Sequence, residues 1–215
     1  MFAKTLPAPR LLTPTTAPEA DDLKVKGIAR TFARDQEIFG EGDPADYVYK
    51  VVSGAVRAFR VLSDGRRQID DFYLPGDVFG VELGASRRAT AEAVSETVVI
   101  VARRAVVGGD PEQGPRLWRY ALRALERSQD HVLTLGRRSA SERVASFLLD
   151  LGRRMAEATD VRLPMSRQDM ADYLGLTIET VSRTLTQMQG QGLIALSGCR
   201  SVRLTRPAVL AELCE

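Results

Sequence analysis

The stretch Ser166-Arg-Gln-Asp-Met-Ala-Asp-Tyr-Leu-Gly-Leu-Thr-Ile-Glu-Thr-Val-Ser-Arg183 constrains the fold more than any other part of the chain. Ser166 can cap a helix, and Asp169, three positions on, completes a capping-box-like pair near the positive helix end. Met170, Ala171 and Leu174 supply a buried stripe, and Gly175 permits a sharp turn. Thr177 then caps a second helix, whose Val181, Leu185 and Met188 recur at i, i+4 and i+7 and so face a core. The other side carries Ile178, Glu179, Ser182, Arg183 and Thr186. Two short helices joined by a tight turn, the second with a free polar face, have the layout of a helix-turn-helix.

The side chains on that face suit base edges in a DNA major groove. Arg183 can bond bidentately to guanine O6 and N7, Glu179 can accept from cytosine N4, and Ile178 or Ser182 can meet a thymine. Each good bidentate contact discriminates by roughly 1–3 kcal/mol. The competing reading is an ordinary solvated helix face, on which an i,i+4 Glu–Arg pair contributes only about 0.2–0.5 kcal/mol. Thr180, with Ser166 and Thr177 at the helix starts, completes the candidate contact set on the two helices. The segment Gly192–Leu204 then reads as two strands around a Ser197-Gly198 turn, a wing whose Arg200 and Arg203 could touch phosphates.

Upstream, the pattern changes twice. Gly40-Glu-Gly-Asp-Pro44 is a turn, and Ser63-Asp-Gly65 closes a hairpin between Arg57–Leu62 and Gln68–Leu74. Short strands at this spacing argue for an antiparallel roll or jelly roll. From Pro115 to about Gly136 the pattern is one long helix with two seams. Trp118, Leu122, Leu125 and Val132 form one; Leu117, Ala121, Ala124, Ser128 and Leu135 form the other. Such a helix can pack on its own roll and pair with a second copy, unless one seam is only a wide intramolecular face.

At this point the chain resembles the CRP/FNR superfamily of bacterial transcription regulators, and within it the FixK-like branch. Glu179-Thr-Val-Ser-Arg183 and Asp172-Tyr-Leu-Gly-Leu-Thr177 carry the resemblance in the helix-turn-helix. Tyr47-Val-Tyr-Lys-Val-Val-Ser-Gly54 and Pro75-Gly-Asp-Val-Phe-Gly80 carry it in the roll. Phe79-Gly-Val-Glu-Leu-Gly-Ala85, leading to Thr90-Ala-Glu-Ala93, is similar to the FixK branch in particular. The expected fold class is therefore α+β. An N-terminal antiparallel β-roll of the jelly-roll, cyclic-nucleotide-binding-like type is joined by a long dimerisation helix to a C-terminal winged helix-turn-helix. The expected bounds are a mobile arm over 1–21, the roll over 22–110, the helix over 111–138 and the DNA-binding domain over 139–215. The resemblance implies a homodimer paired through Trp118, Leu122, Leu125 and Val132, and a TTGA/TCAA-type palindrome as target. It also implies contact with RNA polymerase, activation of transcription, and a place in low-oxygen or nitrogen-fixation gene control.

The signal is harder to read. The iron–sulfur members of the superfamily use four cysteines, most of them near the N-terminus, whereas this chain has two, Cys199 and Cys214. One histidine, His131, gives no zinc or haem site and reads as a surface or interface residue. No metal or other cofactor is expected. Cyclic-nucleotide-binding members use a Gly-Glu pair for the ribose, but here Gly80 is followed by Val81, with Glu82 displaced by one. Arg87 and Thr90 could still meet a phosphate; otherwise Glu82, Arg87 and Arg88 are surface charges around a filled roll. FixK-like proteins, as the resemblance implies, act without a known small effector. Cys199, beside Arg200 on the wing, is a candidate redox thiol, since nearby cations favour the thiolate.

Other classes fit less well. A Walker loop, a GxSxG elbow and an HExxH pair are all absent from the sequence, and the carboxylate pair Asp70-Asp71 sits on a strand whose neighbours should point apart. An enzyme is therefore not expected. Exposed aromatic pairs that stack single-stranded RNA are lacking. The net charge is only +2, so basic residues matter by position and not by total. No apolar run approaches the ~18–20 residues that cross a bilayer, and two widely separated cysteines suit a reducing cytoplasm.

Overall fold

A computed structural model of the chain describes residues 25–105, 114–155 and 159–214. The arm expected over 1–21 lies outside the described residues.

Eight short strands come first: β1 (Ile28–Phe32), β2 (Glu37–Phe39), β3 (Tyr47–Ser53), β4 (Val56–Val61), β5 (Arg67–Tyr73), β6 (Val78–Phe79), β7 (Thr90–Ala93) and β8 (Thr97–Arg103). They pair antiparallel into two sheets, ordered β1-β8-β3-β6 and β2-β7-β4-β5. Apolar residues at alternate strand positions fill the space between the sheets. The rings of Phe39, Tyr49, Phe79 and Tyr73 stack there, with centroids between 5.0 and 6.1 Å apart. At the tip of the β4–β5 hairpin Gly65 takes φ 81°, a left-handed conformation that a β-carbon would strain.

The alternation expected for Asp70 and Asp71 does not hold. Ala58 faces Asp71 while Phe59 faces Ile69, so a β-bulge leaves Asp70 as the extra residue. Both carboxylates therefore line one cavity, of about 630 Å³, between the roll and the long helix.

That helix, α1, spans Gly114–Arg137, 24 residues or about 36 Å. Trp118 and Val132 are 65% and 66% exposed, and Leu122 and Leu125 lie on the same open side. Ala121, Ala124, Ser128 and Leu135 of the seam expected to face the roll line that cavity. Beside them Tyr120 donates to the carbonyl of Val78, Arg127 approaches Asp71, His131 stacks on Tyr173 and Thr134 is buried. These contacts come from aromatic and polar groups, which apolar periodicity does not reveal. The side chain of Leu117 falls outside the description.

The C-terminal part holds α2 (Ala140–Arg154), β9 (Asp160–Arg162), α3 (Arg167–Leu174), α4 (Ile178–Gly190), β10 (Ile194–Leu196), β11 (Ser201–Leu204) and α5 (Pro207–Glu212). A capping box of Ser139 and Glu142 starts α2. Val144, Leu148 and Leu151 then pack with Met170, Leu174, Val181, Leu185 and Met188. Val161 of β9 joins this core; that third wing strand, in the order β10-β11-β9, was not visible in the sequence. The same buried cluster continues into the roll through Phe59, Ile69, Phe72 and Leu74. Phe72 of β5 lies 5.3 Å from Tyr173 and 6.2 Å from Phe147, ring to ring, so apolar packing crosses from the sheet edge to α3 and α2.

Candidate nucleic-acid interface

The two-helix unit is built as its sequence directs. The Ser166 hydroxyl accepts from the backbone N–H of Asp169 at 3.0 Å, and the carboxylate of Asp169 accepts from the backbone N–H of Ser166 at 3.0 Å. Gly175 ends α3 at φ 60°, ψ 40°, the left-handed conformation of a helix C-cap. Thr177 caps α4 by accepting from the N–H of Thr180 at 3.2 Å. Val181, Thr184, Leu185 and Met188 are buried, whereas Ile178, Glu179, Ser182 and Arg183 are exposed on the opposite face. Burial of one face fixes the helix and leaves the other to a partner.

Several candidate contacts carry prior commitments. The Ser166 hydroxyl also donates to Asp169 at 2.7 Å, so this side chain serves α3 before any phosphate. The carboxyl of Glu179 is held below its usual range by its own backbone N–H and by the Thr177 hydroxyl, which draws it toward the start of α4. On the wing, Arg200 and Cys199 are exposed at the turn, and Arg203 pairs with Asp160 at 2.7 Å. Arg203, expected to touch phosphates, thus braces the wing through Asp160.

The joint between the roll and the two-helix unit is invisible to a local reading of the sequence. Arg57 of β4, with its side chain 9% exposed, reaches Glu92 at 2.6 Å, Asp35 at 3.1 Å and Asp169 at 3.3 Å. Arg67 of β5 reaches Asp169 at 2.6 Å and Asp172 at 2.8 Å. Burial opposes the charge of Asp169, but the Ser166 hydrogen bonds and the two guanidinium groups outweigh it and hold the carboxyl below its ordinary range. Arg154 at the end of α2 bonds Asp77 at 2.8 Å and the carbonyl of Phe72. At the other end of α3, Arg143 donates to the carbonyls of Leu174 at 2.9 Å and Leu135 at 2.8 Å, tying the helix-turn-helix to α1. The pairs that Arg57 and Arg67 make with α3 join residues more than 100 positions apart, and a local pattern carries no trace of them.

In the roll, Arg87 is turned inward and does not offer a phosphate an open guanidinium. Arg87 is 3% exposed, donates to the carbonyls of Gly80 and Tyr47 at 2.6 Å each, and lies 4.2 Å over the Phe39 ring. It is neither a surface charge nor an open cation. A β-carbon on Gly80 would sit 2.8 Å from its Nη1, so the glycine admits this guanidinium. The Thr90 hydroxyl accepts from the N–H of Glu41, and Glu82 accepts from the N–H of Arg88. His131, expected at a surface or interface, is half-buried at 4.1 Å from Tyr173, and burial lowers its pKa. Among the described residues no group of three or more His, Cys, Asp or Glu could hold a metal, and no helix is long and apolar enough to cross a membrane.

Comparison with known proteins agrees with this geometry. Residues 142–213 match the Crp-like helix-turn-helix domain, and residues 29–108 match the cyclic nucleotide-binding domain. The chain is 50% identical to the nitrogen fixation regulation protein FixK of Azorhizobium caulinodans, over 87% of this chain and 79% of that protein. It is 45% identical to the protein of the same name from Rhizobium meliloti, over 87% of each. The structure of FixK2 from Bradyrhizobium japonicum superposes with a TM-score of 0.83 at 48% identity, covering 87% of this chain and 97% of that one. The chain belongs to the CRP/FNR superfamily of DNA-binding transcription regulators, in its FixK-like branch.

Proposed function

We propose that this regulator binds a TTGA/TCAA-type palindrome as a homodimer and activates transcription from it through contact with RNA polymerase, in the cytoplasm. It does so with neither an iron–sulfur cluster nor a small effector. The observation that carries the reading is the split of α4, with Val181, Leu185 and Met188 buried and Ile178, Glu179, Ser182 and Arg183 open. Arg183 reads guanine, Glu179 reads cytosine, and Arg200 holds a phosphate beside them. Trp118, Leu122, Leu125 and Val132 follow one another at steps of four, three and seven along α1, the repeat of a coiled-coil seam, and their exposure supports pairing with a second copy. Two readers in such a dimer lie about one DNA turn, ~34 Å, apart. The inward commitment of Arg87 supports operation without a nucleotide.

A gel-shift titration against the palindrome and a scrambled control, at fixed salt and without added ligand, tests the proposal. Selective binding is expected. Selectivity that appears only with a cyclic nucleotide, or not at all, contradicts it. Leu125→Asp places a charge in the seam and is expected to give monomers in sedimentation and to lose the palindrome.

The exposure of Cys199 on the wing favours a second, compatible reading in which oxidation adds negative charge beside DNA phosphates and weakens binding. Peroxide should then lower the affinity of the wild type and leave Cys199→Ser unchanged; equal sensitivity of the two removes this reading.

A further inference from the structure

The carboxylate of Asp169 belongs to two structures at once. It completes the capping box of α3, and it accepts from Arg57 at 3.3 Å and from Arg67 at 2.6 Å, both of which stand on the roll. Asp172, one turn further along α3, takes the Nε of Arg67 at 2.8 Å, so Arg67 grips two points on that helix. Two points fix a direction, where a single contact would act as a pivot. α3 and α4 share a buried core and a tight Gly175 turn, so an angle imposed on α3 passes to α4. Neither arginine lies on the exposed face of α4 or on the wing.

We infer that Arg57 and Arg67 of the β-roll are positioning residues for DNA recognition, setting the angle of the recognition helix relative to α1 by holding Asp169 and Asp172. Arg57 is the buried anchor, neutralised by Glu92 and Asp35 on its own domain and offering its remaining nitrogen to Asp169. Arg67, with its side chain 25% exposed, is the adjustable part of the grip. Arg143 holds the opposite end of α3 to α1, so the reader is fastened at both ends. A dimer needs this fixity because a palindrome is read only when both helices arrive in register; a loosened head still meets one half-site, but no longer measures the spacing between two. This consequence rests on the dimeric, palindrome-reading function proposed above.

Arg67→Gln is the variant to test, because it spares the buried Arg57 and the cap, with Arg67→Lys as the charge-retaining control. Two measurements are made on the full chain. The first compares affinity for the palindrome and for versions with one base pair added or removed between the half-sites. Arg67→Gln is expected to lose about tenfold for the correct spacing, as for a lost hydrogen bond between charged groups, and much less for the altered spacings. Arg67→Lys should recover most of the difference. A merely structural role would lower all three affinities together.

The second measures distances between spin labels on Cys199 and on Val52→Cys, in a Cys214→Ser background diluted with unlabelled chain. The distribution should be narrow in the parent and in Arg67→Lys, and broad in Arg67→Gln. Unchanged spacing selectivity, or an unchanged distance distribution, in Arg67→Gln overturns the inference. If the parent itself shows no preference for the palindrome, the proposed function fails, and the distances alone still decide whether the roll sets the angle of the reader.

Discussion

The exposed face of α4 and the joint that holds α3 against the roll are opposite kinds of surface. On α4, Glu179, Ser182 and Arg183 stand in solvent, and their placement follows from one helical repeat and one cap. At the joint, Arg57, Arg67, Glu92, Asp169 and Asp172 meet from elements up to 112 positions apart and pair almost completely. Recognition and orientation would make opposite demands on a surface. A recognition face must leave its donors unsatisfied until bases arrive, so it stays exposed and local. An orienting joint must satisfy its charges within the fold, since a buried unpaired charge costs several kcal/mol. Substitutions on α4 should therefore change which sequence is bound, and substitutions at the joint should change stability or geometry.

The largest effect is expected where both roles of one carboxylate are removed. Asp169→Ala deletes the α3 cap and leaves Arg57 and Arg67 without their shared acceptor, and should cost about 3–5 kcal/mol by chemical denaturation. A loss below about 1 kcal/mol would mean that the joint contributes little to stability.

A smaller effect is expected from the second charged layer of the joint, and it depends on pH. Burial pushes the carboxyl of Asp71 to about 6, only partly offset by Arg154 and Arg127, while Asp77 adds to the rise. The folded chain thus keeps this proton after the unfolded chain has released it. The contribution of Asp71 to stability is complete below about pH 4 and is lost as pH rises from about 4 to about 6. Asp169, with its lowered pKa, acts in the opposite sense, and its contribution is lost as pH falls. Asp71→Asn should remove the falling component, on the order of 2 kcal/mol across that window. Parallel stability curves for parent and variant between pH 4 and 6 would refute it.

The fold was legible wherever local pattern decides it. The Ser166 and Thr177 caps, the Gly175 turn, the apolar stripes of α3 and α4 and the Ser63–Gly65 hairpin all depend on neighbours within a few residues, and all are present. Three features escaped, each for its own reason. β9 is too short to show a period, the bulge at Asp70 shifts the alternation, and Tyr120, Arg127 and His131 make contacts on the inward side of α1 that no apolar repeat marks. Arg87 was misplaced because its burial is bought by two backbone carbonyls and an aromatic ring drawn from three separate segments. The candidate site divides in the same way: the open face of α4 could be placed from the sequence, and the arginines that pair with α3 could not.

The smallest expected effect lies at the wing. Arg200→Gln should weaken binding to all sequences alike and reduce the salt dependence of log K by about 0.9, the share of one phosphate contact. A change in sequence preference would instead make Arg200 a base reader and extend the recognition face beyond α4.

If the open face of α4 reads the sequence, Arg183→Ala should show it base pair by base pair. Affinities of parent and variant are measured at fixed salt against the palindrome and against every single-base-pair change within one half-site. A loss of about 1–3 kcal/mol confined to one guanine position is expected, with discrimination relaxed there and unchanged elsewhere. An equal loss across the whole panel would contradict it, placing Arg183 on the phosphate backbone and the reading of bases on other residues.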